Sequence, residues 1–302
     1  MIEVRNLTKA YDGFIAVNNI SFKLEKGEIV AFLGPNGAGK TTTLRVLTGY
    51  FPPTSGYCEI GGYNILEHPL EVKKLIGYLP ETNPLYEEMT PREYLSFLGN
   101  IHGVQRLSHR IDEVSEQLGI CDVLDRPIRE ISRGYKRRVG LAQAILHDPP
   151  ILILDEPTEG LDPIQSIQVR ELIKELGKEK TILLSTHILP EAETIAKRII
   201  IIHKGEIVAD TPRDKLHEIS GGEAIIHAEI EGPTDIDWSG IPDVIDAKIV
   251  KSIESRHVWE LKSHTDIRPQ VFKFVKDRGW TLWGLESKHL SLEEIFAQLT
   301  RE

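Results

Sequence analysis

The sequence predicts an α/β domain built on a parallel sheet and followed by a smaller α+β domain, and three observations predict it. An apolar strand at 29–33 runs into the turn Gly34-Pro35-Asn36-Gly37-Ala38-Gly39 and then into a helical pattern through Leu44, Val46 and Leu47. A second apolar run, Ile151-Leu152-Ile153-Leu154, ends in Asp155-Glu156. That is the pattern of a central parallel strand, buried on both faces, with acids at the C-terminal edge where α/β sheets hold their ligands. After Ser220-Gly221-Gly222, the best linker candidate, short strand and helix patterns alternate to the end.

The first element carries a phosphate-binding motif. Residues 34–42, completed by Lys40, Thr41 and Thr42, fit G-x-x-x-x-G-K-[ST] between a strand and a helix, the context a P-loop requires. Its glycines let backbone N–H groups converge on phosphate oxygens, and the helix start adds its positive dipole end. Lys40 then neutralises β/γ charge, and Thr41 ligates Mg²⁺. Gly34, Pro35, Asn36, Gly37, Ala38, Gly39, Lys40, Thr41 and Thr42 are therefore the nucleotide-binding candidates. Asp155 is the expected Mg²⁺ partner of Thr41. Glu156, next to the γ-phosphate, orients and partly deprotonates the attacking water; the bland alternative is a solvated acid at a strand end. These two elements alone also suit P-loop kinases and GTPases.

Further segments narrow the choice. Ile131-Ser132-Arg133-Gly134-Tyr135-Lys136-Arg137-Arg138-Val139, just before the Asp155 strand, resembles the ABC ATPase signature, usually Leu-Ser-Gly-Gly-Gln. Taken alone, Ser132 reads as a plain helix N-cap and the basic cluster as a solvated face. The resemblance implies that Ser132 and Gly134 bind the γ-phosphate of ATP held by an opposing subunit, while Arg133 and Tyr135 depart from the common pattern. Pro157-Thr158-Glu159-Gly160-Leu161-Asp162-Pro163 resembles the family's D-loop, in which Asp162 helps couple the two sites. His187, after the strand 181–185, resembles the switch histidine that contacts the γ-phosphate and holds the attacking water. Tyr11 matches the aromatic that stacks on adenine, although a lone tyrosine is more often core. The order P-loop, signature, Asp-Glu strand, D-loop, histidine is absent from kinases and small GTPases.

One position departs from the family. Where a glutamine is usual, Ile76-Gly77-Tyr78-Leu79-Pro80-Glu81 carries Glu81. A carboxylate is a hard oxygen ligand suited to Mg²⁺, but it adds negative charge near the triphosphate, so metal ligation and coupling to a membrane partner both stand as readings. With Asn83-Pro84-Leu85-Tyr86 and Met89-Thr90-Pro91-Arg92-Glu93-Tyr94-Leu95, this variant is similar to bacterial subfamily-A-like ABC transporters, including the gliding-motility type, over essentially the whole chain.

The resemblance implies a P-loop ABC ATPase core at 1–218, with an antiparallel β part near 2–24 and an inserted helical subdomain at about 84–147. In that insert Thr90 caps a helix, Pro91 takes its first turn, Glu93 completes a capping box, and Tyr94, Phe97, Leu98 and Ile101 form one face. Ser108 opens a second helix with Ile111, Val114 and Leu118. Residues 222–302 read as an α+β accessory or regulatory domain, for which a ferredoxin-like unit is the candidate arrangement: strands 224–230, 247–253, 257–261 and 280–285, and helices 269–277 and 291–299. No metal-ligand spacing or nucleophile constellation marks a second active site there.

Length and composition bound these expectations. The chain of 302 residues has room for two domains, and 40% hydrophobic with 27% charged residues is an ordinary globular composition. A formal charge of −10 argues against a nucleic-acid partner. Cys58 and Cys121 make no spaced framework, and Met1-Ile2-Glu3-Val4 lacks the basic and long apolar regions of a signal peptide. No stretch approaches the ~20 apolar residues that cross a bilayer. The sequence therefore predicts a peripheral protein on the cytoplasmic face of the membrane. It would bind ATP and Mg²⁺, pair with a second ATP-binding subunit, either a copy or a close homologue, and serve a separate integral membrane permease, most simply as the ATPase of an exporter. The competing expectation is a soluble ABC ATPase of translation or DNA repair, which would usually add a second cassette, a long coiled coil or marked basic regions.

Overall fold

The computed structural model describes residues 1–216, 224–263 and 265–288. The chain divides into two compact units, Met1–Arg213 and Asp214–Glu302. The linker candidate Ser220-Gly221-Gly222 and the helix expected at 291–299 lie outside the described residues.

In the first unit, β1 (Ile2–Tyr11) and β2 (Phe14–Leu24) form a hairpin that extends through β4 (Ser55–Ile60) and β5 (Tyr63–Asn64) into an antiparallel sheet of order β2-β1-β4-β5. Its tight turn, Asp12-Gly13, has positive φ at both residues, the backbone that two-residue hairpins favour. Tyr11 and Phe14 thereby face each other across the hairpin's end.

The second sheet has the order β10-β9-β3-β8-β7-β6, formed by β3 (Ile29–Leu33), β6 (Ile76–Leu79), β7 (Ile151–Asp155), β8 (Thr181–Thr186), β9 (Arg198–His203) and β10 (Glu206–Pro212). All neighbours pair in parallel except the edge pair β10–β9. Every residue of β3, β7 and β8 is buried. Covering both faces is why these strands read as unbroken apolar runs, each large aliphatic side chain contributing ~1.5–3 kcal/mol by leaving water. The three strands end at one edge, which gathers the loops after them.

Helices α1 (Lys40–Leu47), α2 (Pro69–Leu75), α6 (Pro163–Leu176) and α7 (Leu189–Ile195) accompany the strands, and α3 (Pro91–Ile101), α4 (Leu107–Leu118) and α5 (Arg133–Ile145) form the helical insert. Thr90 and Glu93 make the expected reciprocal cap of α3. On α4, Ile111, Val114 and Leu118 are all buried. The apolar face read for α3 is split instead: Tyr94 and Leu95 are buried, whereas Phe97 and Ile101 are exposed. Tyr86 packs edge-on against both Tyr94 and Phe97.

The second unit is an antiparallel sheet of order β12-β13-β11-β14, made of β11 (Ala224–Glu231), β12 (Val244–Ile253), β13 (Arg256–Ser263) and β14 (Thr281–Lys288). Helix α8 (Arg268–Asp277) connects β13 to β14 and packs Val271, Phe274 and Val275 into a core with Trp238 and Trp259. A ferredoxin-like βαββαβ unit would place a helix between β11 and β12. This chain has the short 3₁₀ turn Trp238–Gly240 there, and Trp238 stacks on Phe274 at 5.3 Å, filling space a helix would otherwise cover.

Between α5 and β7, His147 should make the stability of the first unit depend on pH. Its Nε2 lies 3.1 Å from the Ile76 carbonyl, and its ring stacks on His102 at 4.0 Å. Burial, and then the neighbouring His102, push the His147 pKa down from 6.5 to about 4. Because the folded value lies below the unfolded one, the contribution is intact above pH 6.5 and is lost as pH falls toward 4. Over that window the wild type should lose more stability than His147→Gln, measured by thermal melts at each pH; parallel losses would contradict the assignment.

Candidate active site

The parallel register places Asp155, the last residue of β7, opposite Ser185 of β8. Ser185 Oγ donates to Asp155 Oδ1 at 2.5 Å and accepts from the Glu156 N–H at 3.0 Å. Glu156 adopts φ +49°, an uncommon backbone for a residue with a side chain. Such strain persists where surrounding structure over-determines it, and here it brings the carboxylate back over the P-loop. Glu156 Oε1 lies 3.4 Å from Lys40 Nζ and Oε2 lies 2.9 Å from His187 Nδ1. Both Lys40 and Glu156 are buried, while the His187 side chain is 37% exposed and so opens toward a ligand.

Lys40, the first residue of α1, also donates to the carbonyls of Gly34 at 2.8 Å and Pro35 at 3.2 Å, so it is held by its own loop. Gly39 makes this approach possible: it sits at φ +107°, and a Cβ there would come within 2.6 Å of the Ala16 carbonyl. Thr41 Oγ1 lies 3.3 Å from Asp155 Oδ1 and 3.3 Å from Glu81 Oε2, which brings the unusual Glu81 to the same point. The other Asp155 oxygen, Oδ2, is buried without a partner. Burial raises the Asp155 carboxyl pKa, against hydrogen bonds from Ser185 and Thr41 that lower it.

A cleft of about 340 Å³ opens over these groups. Asn36, Gly37, Gly39, Lys40, Thr41 and Thr42 line its phosphate side, Glu81, Glu156 and His187 one wall, and Tyr11 the far end. Lys9 Nζ stands 4.9 Å from the Tyr11 ring centroid and the Phe51 ring meets it edge-on at 5.8 Å. Ala38 is buried beneath the loop. Ser132, Gly134 and Asp162 do not line this cleft. Ser132 caps α5 by accepting from Tyr135 N at 3.3 Å, and Asp162 caps α6 by accepting from Gln165 N at 2.8 Å. Gly134 lies so near α6 that a Cβ there would meet Gln165 Oε1 at 2.0 Å.

Sequence reasoning missed five participants, the first being Ser185 between Asp155 and Glu156. Phe14 and Glu159 line the cleft; the pairing of Phe14 with Tyr11 across a two-residue turn was a signal for the former. Buried Glu191 accepts the hydroxyls of Thr158 and Thr186 at 2.6 Å each, joining the loop after β7 to the end of β8, and burial raises its pKa. Arg137, read as part of a basic face, is buried behind the site.

A strand running into a phosphate-type loop at a helix start, and an Asp-Glu pair at the end of a buried parallel strand one place beyond the neighbouring β8, define a P-loop nucleotide-binding protein. The comparisons specify which. The family profile described as ABC transporter matches residues 17–159. The linearmycin resistance ATP-binding protein LnrL of Bacillus subtilis (strain 168) is 32% identical over 305 residues, covering 99% of this chain and 98% of that protein. The bacitracin transport ATP-binding protein BcrA of Bacillus licheniformis is 41% identical over 218 residues, covering 72% and 71%. The dimeric structure of a bacterial ABC transporter cassette superposes with a TM-score of 0.64 at 26% identity, over 70% of this chain and 99% of that one. The chain belongs to the ABC transporter family, as an ATP-binding and ATP-hydrolysing subunit. These relatives do not favour the alternative of a translation or repair ATPase. No helix among the described residues is long and apolar enough to cross a membrane.

Gly39→Ala should cost at least ~1 kcal/mol, since alanine pays for the left-handed backbone and also meets a carbonyl. Thermal melting and ATP titration should both register it. An unchanged melting point with full affinity would refute the packing argument.

Proposed function

We propose that the chain energises export from the cytoplasmic face of the membrane, pairing head-to-tail with a second ATP-binding subunit and docking to a separate permease. The observation that carries this reading is the division of the site. One cleft holds the groups for the triphosphate, while Ser132 and Gly134 stand outside it on α5, available to a neighbouring cleft. A two-fold pair completes both sites at once, and the dimeric cassette among its structural relatives supports that arrangement. The names of BcrA and LnrL, one of transport and one of resistance, support export.

Within the cleft, Tyr11 stacks on adenine, and the loop amides of residues 34–42 hold the phosphates. Lys40 neutralises their charge, leaving Glu156 to orient water and take its proton. His187, hydrogen-bonded to Glu156 and lining the cleft, fixes the carboxylate's direction. Thr41, Asp155 and Glu81 fit a Mg²⁺ ion: three oxygen-bearing side chains converge, and one buried carboxylate oxygen lacks a partner. Among the described residues no group of three His, Cys, Asp or Glu forms a metal cage, in keeping with a cation that takes most of its ligands from phosphate and water. Held by these side chains, such an ion would supply positive charge to offset the negative charge developing on the phosphoryl oxygens.

Closure of the dimer on ATP and release after hydrolysis convert this chemistry into motion. Its outlet to a permease is supported by a groove of about 620 Å³ between the sheet and the helical insert, lined by Tyr50, Tyr78, Pro84, Tyr94 and Leu98 beside the Glu81 loop.

Glu156→Gln should lower kcat by about 100-fold or more while ATP affinity stays within a few-fold, the signature of a lost general base. Lys40→Ala should weaken ATP binding itself. Full turnover by Glu156→Gln would remove the base assignment. In Mg-ATP, Glu156→Gln should also sediment as a dimer and, taken from native membranes in mild detergent, bring an integral membrane protein with it in stoichiometric amount. A monomer in Mg-ATP, or recovery of soluble chains alone, would argue against the coupled reading.

A further inference from the structure

Arg137 lies in the second turn of α5 and is 7% exposed, yet its guanidinium makes no carboxylate hydrogen bond. All its bonds go to backbone carbonyls of two distant segments. Nη1 donates to Pro80 and Glu81 at 2.8 Å each, Nη2 to Asp155 and Glu156 at 2.5 Å each, and Nε to Pro157 at 3.2 Å. A guanidinium is suited to this because its N–H groups point outward from a rigid plane, whereas an ammonium offers three donors from one point. The carbonyls it holds belong to the peptides carrying Glu81, Asp155 and Glu156. Glu81 and Glu156 line the cleft, and Asp155 meets Thr41 of its phosphate side at 3.3 Å.

We propose that Arg137 is a positioning residue for ATP hydrolysis: it fastens the Glu81 loop and the strand end bearing Asp155 and Glu156 to one helix, so that the carboxylates keep a fixed spacing. This rests on the roles given above to Glu81, Asp155 and Glu156. The strained backbone at Glu156 explains why a fastener is needed. A residue at φ +49° has a ready route back to ordinary backbone, and that relaxation would swing its carboxylate away from Lys40 and His187. Arg137 holds the carbonyls on both sides of the Glu156–Pro157 bond. Its positive charge also sits behind several carboxylates without competing for their oxygens, which permits a glutamate at position 81 where an uncharged amide is usual.

The test compares steady-state ATPase kinetics of the full-length chain as wild type, Arg137→Lys and Glu156→Gln, each normalised to ATP-binding sites counted by titration. Arg137→Lys keeps the charge and removes the span. We expect kcat per site to fall about 10-fold or more, KM for ATP to stay within about 3-fold, and the Mg²⁺ concentration for half-maximal rate to rise. Unchanged kcat per site, even with a lower melting point, would overturn the inference and leave Arg137 a structural residue. Retained turnover in Glu156→Gln would instead overturn the underlying base assignment, so the two failures are distinguishable. Should Arg137→Lys not fold, native-state hydrogen exchange of the wild type decides. The amides at 81–83 and 155–158 are expected to open together as one unit, and independent opening of the 81–83 segment would overturn the fastening role.

Discussion

The hydroxyl of Ser185 stands at the centre of the site's construction. One side-chain oxygen donates to Asp155 and accepts from the Glu156 amide, so a single atom fixes the orientation of one carboxylate and the backbone of the next. It can do so only because β7 and β8 pair in parallel with Asp155 opposite Ser185. A shift of one residue would turn every side chain of β7 to the other face of the sheet, and both acids would leave the cleft. The register is in turn secured by burial on both faces, since Leu152, Ile153, Leu154, Leu183 and Leu184 are all fully enclosed. Hydrophobic packing thus acts as the jig, and the hydrogen bonds at the strand ends convert its accuracy into chemistry.

That dependence explains which features were legible in the sequence. The P-loop and the Asp-Glu strand announce themselves through local pattern, whereas the histidine after β8 was legible only through the resemblance and its place in the chain order. Glycine is needed where a carbonyl such as that of Ala16 lies too near for a Cβ, and acids terminate an apolar run. The antiparallel hairpin and the capping box of α3 are local in the same sense. Arg137, Glu191 and Ser185 were hidden because their partners are remote in sequence and are mostly backbone atoms or hydroxyls, which leave no residue-type signature. A buried arginine bound only to carbonyls is spelled just like one on a solvated face. The face of α3 misled for a related reason. Helical periodicity reports that Phe97 and Ile101 share a stripe with Tyr94, but not where the neighbouring helices stop covering it.

The cleft's electrostatics follow from the same layout. Glu81, Asp155 and Glu156 converge on a small volume, and one like charge raises the cost of the next. Desolvation on burial pushes the Asp155 carboxyl pKa up, and the charges of Glu81 and Glu156 add to it. Lys40 answers from the ligand side and Arg137 from behind, and the two do so differently. The lysine is a point charge within reach of Glu156, whereas the guanidinium spreads its donors over peptide carbonyls and leaves the carboxylate oxygens free. A cation in front would compete with a nucleotide for position; one behind does not.

The placement of Ser132 and Gly134 gives this economy a further consequence. They begin α5, the helix that also carries Arg137, so the element proposed to meet a neighbouring cleft is continuous with the one that holds the carbonyls around Glu156. Gly134 is pressed against Gln165 of α6, whose N-cap is Asp162, directly after the loop that follows Glu156. Two rigid helices and a short loop therefore join the presented signature to the resident carboxylate, with close contacts that leave little room for independent movement. In the proposed two-fold pair, a force on the start of α5 from a partner's ATP would have a packed route to Glu156. The reverse route is the same, since mechanical coupling through shared elements has no preferred direction.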